Sequence, residues 1–114
     1  MVDPSSADNF AVSVVIPTYN RIKQLPIALN SVLSQTRSVT EILVVDDGST
    51  DNTVENLSPK YKTVTFLRQK NEGVSSARNA GIKAAKSPWI ALLDSDDKWM
   101  PDKIEKQIHY LSED

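Results

Sequence analysis

The sequence predicts an α/β fold in which helices cover both faces of a mostly parallel sheet, a three-layer α/β/α arrangement. Short apolar runs rich in β-branched residues, such as FAVSVVI and EILVV, are typical of strands buried on both faces. Segments with helical spacing of apolar residues separate these runs. This alternation favours right-handed βαβ crossovers and hence a parallel sheet.

Each predicted strand is followed by a predicted helix. The strands are expected at residues 10–16, 41–45, 64–67 and 89–93, and the helices at 22–35, 51–57, 73–86 and 100–111. Proline is favoured in the first turn of a helix, so the first helix could begin only at Leu25 or Pro26. The third helix has a face of small residues that could pack closely on the sheet: Ala77, Ala80, Gly81 and Ala84.

Length and composition indicate one globular domain, expected at residues 10–114 after a loose polar tail at residues 1–9. The 114 residues carry a formal net charge of −2, which excludes the basic surface typical of nucleic-acid binding. There is no cysteine for disulfides or thiolate metal sites, and one histidine alone is too few for a histidine zinc site. No apolar run of about 18 residues and no signal-peptide pattern occurs, so we expect a cytoplasmic location, including the cytoplasmic face of a membrane.

Polar residues follow the predicted strands, at the edge where parallel sheets bind ligands. The first strand is followed by PTYNR (17–21), the second by DDGSTD (46–51) and the fourth by DSDD (94–97). The loop after the third strand, NEG (71–73), leads into a helix that carries Arg78. Four separate segments should therefore converge on one edge of the sheet.

The acidic group after the fourth strand indicates a divalent-cation site. Asp94, Asp96 and Asp97 would repel one another unless a cation lay between them. In an extended backbone Asp94 and Asp96 point to the same side, and two carboxylates suit Mg²⁺ or Mn²⁺ when substrate phosphates supply further ligands. The alternative is that these acidic residues, like those of 46–51, only cap helices or form turns.

Three other side chains are candidates for contacts with a nucleotide. Tyr19 could stack on a base, Asp47 could accept the imide N–H of uracil, and Arg78 could bind phosphate near a helix start. Each also has a simpler interpretation, since tyrosine often serves packing and a helical arginine is often only solvated.

Four motifs together resemble the N-terminal half of family 2 glycosyltransferases. They are VVIPTYNR (14–21), VVDDGSTD (44–51), NEGVSSARNAG (71–81) and LLDSDD (92–97). The resemblance implies a GT-A fold with a Rossmann-like nucleotide-binding half. It also implies inverting transfer of a sugar from a nucleotide diphosphate donor, usually UDP-linked and sometimes GDP- or TDP-linked, with Mg²⁺ or Mn²⁺ as cofactor.

The resemblance also assigns roles by position. Tyr19 would stack on the base with Thr18 beside it, and Asp47 would bind the uracil edge. Asp94-Ser95-Asp96 would be the DxD motif, with Asp94 near the ribose and Asp96 on the metal. The expected nucleotide-sugar-binding residues are Pro17, Thr18, Tyr19, Asn20, Asp47, Asn71, Arg78, Asp94 and Ser95, and the expected metal ligands are Asp96 and Asp94.

In this family the catalytic base and most acceptor contacts belong to the C-terminal half, so we expect the base beyond residue 114. The chain should then hold the donor and metal. The acceptor is expected to be a glycan or a lipid-linked sugar, and the sequence does not identify which. Surface that the other half would cover favours self-association as a homo-oligomer.

Two other kinds of protein are alternatives. One is a nucleotide-sugar-binding module without catalytic activity. The other is a phosphoacceptor receiver-like domain, which needs an aspartate after its middle strand, where this chain has LRQK (67–70). A dinucleotide-binding domain is disfavoured because the first strand leads into PTYNR and not into a glycine-rich turn.

Overall fold

A computed structural model describes residues 10–112 and has the predicted alternation of strands and helices. The predicted tail at 1–9 lies outside the described residues. The strands are β1 (Val12–Thr18), β2 (Glu41–Asp46), β3 (Thr65–Arg68) and β4 (Trp89–Leu92). The helices are α1 (Leu25–Leu33), α2 (Thr53–Leu57), α3 (Val74–Ala84) and α4 (Lys103–Ser112).

The four strands form one sheet in the order β3-β2-β1-β4, and every pairing is parallel. β1 is central and is buried along its whole length. Helices lie on both faces, so the predicted three-layer α/β/α fold is confirmed. None of the helices within residues 10–112 is both long and apolar enough to cross a membrane.

The main core lies between one sheet face and three helices. Val14 and Ile16 of β1 pack there with Leu29 of α1, Leu57 of α2 and Ile104 of α4. Alternate strand residues point to opposite faces, so Val15 belongs to the other face, which α3 covers. The first two crossovers therefore use one face of the sheet and the third uses the other.

Close packing of α3 on the sheet depends on Gly81. A Cβ atom at this position would lie 2.3 Å from Val15 Cγ1 and 3.2 Å from Val45 Cγ2. Ala77, one turn earlier in α3, is also fully buried. The predicted small-residue face is confirmed at these two positions.

The first strand extends further than predicted. We expected it to end before Pro17, but β1 continues through Thr18 and pairs Pro17 with Val45. The carbonyl of Val15 accepts from Leu93 N on the β4 side, whereas that of Thr18 accepts from Asp47 N on the β2 side. The nitrogen of Pro17 therefore faces β4. The pairing of β1 with β4 ends at Leu92, before Pro17 is reached, so the missing N–H of proline removes no hydrogen bond between strands.

Two helices are shorter than predicted because the segments at their ends bind each other. α1 ends at Leu33 instead of residue 35, and α4 begins at Lys103 instead of residue 100. The Gln35 side chain donates to Met100 O at 2.7 Å and accepts from Ile104 N at 3.0 Å. These bonds join the end of α1 to the start of α4 and replace the helical bonds that the periodic pattern predicted. α3 likewise ends at Ala84, two residues early.

Candidate functional site

A crevice opens between the carboxyl ends of β1 and β4. β2 and β3 follow β1 in the chain and lie on one side of it in the sheet. After β3 the chain crosses the opposite face of the sheet, and β4 pairs with the other side of β1. Open α/β sheets bind ligands where the strand order reverses in this way. The crevice encloses about 520 Å³, which is enough for a small-molecule ligand.

Nine of the ten residues proposed from sequence line this crevice. They are Pro17, Thr18, Tyr19, Asp47, Asn71, Arg78, Asp94, Ser95 and Asp96. Four further residues line the crevice, which are Arg21, Gly73, Val74 and Ala77. The last three belong to the segment 71–78, which the family resemblance places beside the base and diphosphate, whereas Arg21 was given no role. Arg21 could have been found, because it lies two positions beyond Tyr19 in the same strand-end motif.

Asn20 is the proposed residue that does not line the crevice. Its backbone is left-handed, with φ of 51°, a conformation that asparagine tolerates better than most residues. Its side-chain oxygen accepts from Thr50 N at 2.7 Å, and its own N–H donates to Ser49 Oγ at 2.8 Å. Asn20 therefore braces the loop after β1 against the loop after β2.

Asp47 is the centre of the crevice's polar network. Its carboxylate is buried and accepts from Gln69 Nε2 at 2.8 Å, Glu72 N at 2.8 Å and Gly73 N at 3.0 Å. Asn71 Nδ2 donates to the Asp47 carbonyl oxygen at 3.0 Å. The loop between β3 and α3 is therefore held in place by a single carboxylate from the end of β2.

These bonds decide the ionisation of Asp47. Burial raises its pKa, but the N–H groups of Glu72 and Gly73 and the Gln69 amide together outweigh burial and hold the pKa below the ordinary value. The carboxylate is therefore ionised at neutral pH and can only accept hydrogen bonds. Gln69 was not predicted, although it follows β3 directly at the ligand-binding edge.

Gly48 allows the two loops to approach each other. Its φ is 79°, and a Cβ atom there would lie 2.8 Å from Asn71 N. Both the backbone conformation and the contact therefore favour glycine. The DDGSTD motif thus serves partly as a structural brace, as its simpler interpretation held, with Asp46 bound to Ser49 and Asp51 to Thr53.

Tyr19 and Thr18 lie at the end of β1 and differ in exposure. Tyr19 is 45% exposed, although the strand before it is buried, so its ring is open to a ligand. Thr18 is buried, and its hydroxyl has no hydrogen-bond partner within the part of the chain that the structure describes. By strand alternation its side chain shares the face of Ile16.

The acidic segment after β4 is a turn and not the extended backbone that we expected. Asp97 N donates to Asp94 O at 3.0 Å, which closes the turn and removes the two-residue alternation. Asp94 pairs with Arg78 Nη2 at 2.8 Å, and Asp96 pairs with Arg21 Nη1 at 3.1 Å. Both carboxylates still line the same crevice.

The donor set fits a divalent cation only together with a ligand. Among residues 10–112 no group of three or more histidine, cysteine, aspartate or glutamate side chains could hold a metal ion. Asp94 and Asp96 offer two carboxylates. Proteins usually supply one or two carboxylate ligands to Mg²⁺ when phosphate oxygens and water complete its coordination sphere. The crevice has one more aspartate than arginine, so a diphosphate would need a cation to offset its charge.

The parallel sheet with helices on both faces defines a Rossmann-like α/β domain of the GT-A type. The profile of the family described as glycosyl transferase family 2 matches residues 13–114, and the chain belongs to this family. The strand order also differs from that of receiver domains, in which the first strand lies between the second and the third.

Relatives and solved structures agree with this assignment. A Rickettsia felis protein named "Uncharacterized glycosyltransferase" is 49% identical over 104 residues, covering 90% of this chain and 17% of the relative. The Escherichia coli glucosyltransferase WfaP, named for transfer from UDP-Glc to α-D-GlcNAc-diphosphoundecaprenol, is 41% identical over 88% of this chain and 41% of its own length. Staphylococcus aureus TarS 1-349 in complex with UDP-GlcNAc superposes with a TM-score of 0.79 at 30% identity, covering 90% of this chain and 31% of that structure. The chain thus spans less than half the length of each.

Proposed function

We propose that this chain is the donor-binding part of a glycosyltransferase that transfers a sugar from a UDP-sugar, with inversion and with a divalent metal. The observation that carries the proposal is the convergence of a stacking ring, an acceptor-only carboxylate, an arginine and two further carboxylates on one crevice. WfaP is named for a UDP-linked donor and TarS 1-349 was crystallised in complex with UDP-GlcNAc, which supports the same choice of nucleotide. The acceptor is a glycan or a lipid-linked sugar, and we expect the catalytic base outside this chain.

The uracil base fits the side of the crevice formed by Tyr19 and Asp47. An ionised carboxylate can accept the N3–H of uracil, whereas cytosine presents an acceptor at N3 and would be repelled. Oδ1 of Asp47 already accepts from Gln69 and Glu72, whereas Oδ2 accepts from Gly73 N at 3.0 Å and from Asn71 Nδ2 at 3.4 Å. The base would therefore share Oδ2 with the longest and weakest of these contacts. Because the loop bonds hold the carboxylate in place, no reorganisation is needed when the base binds.

The diphosphate fits the opposite side, between Arg78 and the acidic turn. Arg78 lies in α3, close to its N-terminus, and its guanidinium suits phosphate oxygens. Asp94 and Asp96 would hold Mg²⁺ or Mn²⁺. When bound, the metal would neutralise negative charge on the departing diphosphate.

A thermal unfolding experiment tests this proposal. UDP and Mn²⁺ together should raise the melting temperature by more than the sum of their separate effects, and CDP with Mn²⁺ should raise it less. At a ligand concentration 100-fold above Kd the added stability is about 2.7 kcal/mol, which corresponds to a shift of about 10 °C for a domain of this size.

Asp96→Ala should remove the synergy between UDP and Mn²⁺. Asp102→Ala is the matched control, because this aspartate pairs with Lys106 and does not line the crevice. If UDP with Mn²⁺ leaves the melting temperature of the folded wild type unchanged, the proposed donor site is wrong.

A further inference from the structure

The pair formed by Arg21 and Asp96 spans the crevice where the donor is proposed to bind. Arg21 belongs to the loop after β1 and Asp96 to the turn after β4, so their 3.1 Å contact joins the two sides of the switch point. Arg21 received no role from the sequence, and the pair lies outside the hydrophobic core. The pair is best explained by a role in ligand binding at the crevice.

The pair is weak enough to be exchanged. The Arg21 and Asp96 side chains are 42% and 50% exposed, and exposed ion pairs of this kind change equilibria by no more than about fivefold. A divalent cation on the Asp96 carboxylate would repel the nearby guanidinium, because two cations would then share one carboxylate. Arg21 and a metal therefore compete for Asp96.

The backbone of Arg21 is fixed while its side chain is free to move. Arg21 O accepts from Leu25 N at 2.8 Å, and the next residue's N–H donates to Asp51 Oδ2 at 3.1 Å. The guanidinium can therefore leave Asp96 by side-chain rotation alone. It lines the same crevice as Arg78, the proposed phosphate ligand.

We propose that Arg21 holds Asp96 in the absence of metal and transfers to the diphosphate of the donor when the metal–donor complex binds. Arg21 thus keeps the acidic turn in place before the donor arrives, and it adds a second guanidinium to the diphosphate afterwards. This inference rests on the proposed function, since it presupposes a metal at Asp96 and a diphosphate in the crevice.

Opposite effects in two binding measurements distinguish this role from a structural one. Arg21→Gln should bind Mn²⁺ alone about two- to fivefold more tightly, measured by the electron paramagnetic resonance of free Mn²⁺, because the competitor for Asp96 is gone. The same variant should bind UDP at saturating Mn²⁺ about tenfold more weakly, measured by titration calorimetry, because a charge-assisted phosphate contact is lost. Arg21→Lys should retain near-wild-type Mn²⁺ binding and part of the UDP affinity.

Two controls separate specific pairing from general charge. Lys23→Gln removes the same charge from the same loop at an exposed position and should change neither affinity. In an Asp96→Asn background, Arg21→Gln should no longer change Mn²⁺ binding. If wild type binds UDP with Mn²⁺ but Arg21→Gln weakens both affinities or changes neither, the transfer role is wrong and the donor site stands. If wild type binds neither ligand, both proposals are wrong.

Discussion

Asp47 links nucleotide recognition to the shape of the loop that borders the crevice. Its carboxylate accepts from Gln69, Glu72 and Gly73, all more than 20 positions later in the chain. The sequence predicts that Asp47 lies at the ligand-binding edge, because it follows a strand. Its partners could not be predicted, since they reach Asp47 only after β2 and β3 have paired.

Asp47→Asn should lower the free energy of unfolding by about 2 kcal/mol, because an amide loses charge-assisted bonds and presents a donor to backbone N–H groups. Urea denaturation at pH 7 measures the difference. Asp97→Asn is the control, because the Asp97 side chain is exposed and, among residues 10–112, its carboxylate accepts only from the adjacent Lys98 N. This substitution should cost less than about 0.5 kcal/mol.

The same residue predicts part of the acid sensitivity of the fold. The pKa of Asp47 is lowered on folding, so its stabilisation is fully present above the unfolded pKa of about 3.9. It is lost as pH falls through the lower folded pKa. Wild type should therefore lose more stability than Asp47→Asn between pH 5 and pH 3, and equal losses in the two proteins would contradict this role.

At the scale of elements, the sequence predicts type and order well and boundaries less well. Short apolar runs identify the four strands within residues 10–112, and the segments that follow these runs give the four helices. The ends depend on contacts with other elements. β1 runs through Pro17 because one of its two neighbours stops earlier, and α1 stops early because Gln35 bonds to the segment before α4.

Gly81→Ala tests the close approach of α3 to the sheet. Helix propensity alone would stabilise alanine by about 1 kcal/mol, whereas overpacking in a filled core costs about 1–3 kcal/mol. Val15 is fully buried and its Cγ1 would lie 2.3 Å from the new Cβ, so overpacking should prevail, with a net loss of about 1 kcal/mol. Chemical denaturation checks this against Asn79→Ala, an exposed position on α3 that should be neutral or slightly stabilised. If Gly81→Ala is more stable than wild type, the sheet can shift to accommodate the added methyl group and the predicted overpacking is wrong.

The crevice is a property of the whole sheet. The sequence predicts that polar strand ends share one edge, but it does not predict the order β3-β2-β1-β4, which depends on the face that each crossover takes. That order places the ends of β1 and β4 side by side and so brings Tyr19 and Arg21 to the acidic turn. β4 is an edge strand in the described sheet, with Trp89, Ile90 and Leu92 exposed, and self-association through such surface stays a prediction.

The most direct test of a uridine nucleotide site at this crevice is amide chemical-shift mapping of the ¹⁵N-labelled chain titrated with UDP and Mg²⁺. The largest shifts should occur at Asp47 and in three separate segments that follow strands of the sheet. These segments are Tyr19–Arg21, Asn71–Gly73 and Asp94–Asp96. Amides of α4 away from the crevice should move little. Saturable shifts that cluster elsewhere, or an unchanged spectrum of the folded chain at millimolar UDP and Mg²⁺, would contradict a donor site at the switch point.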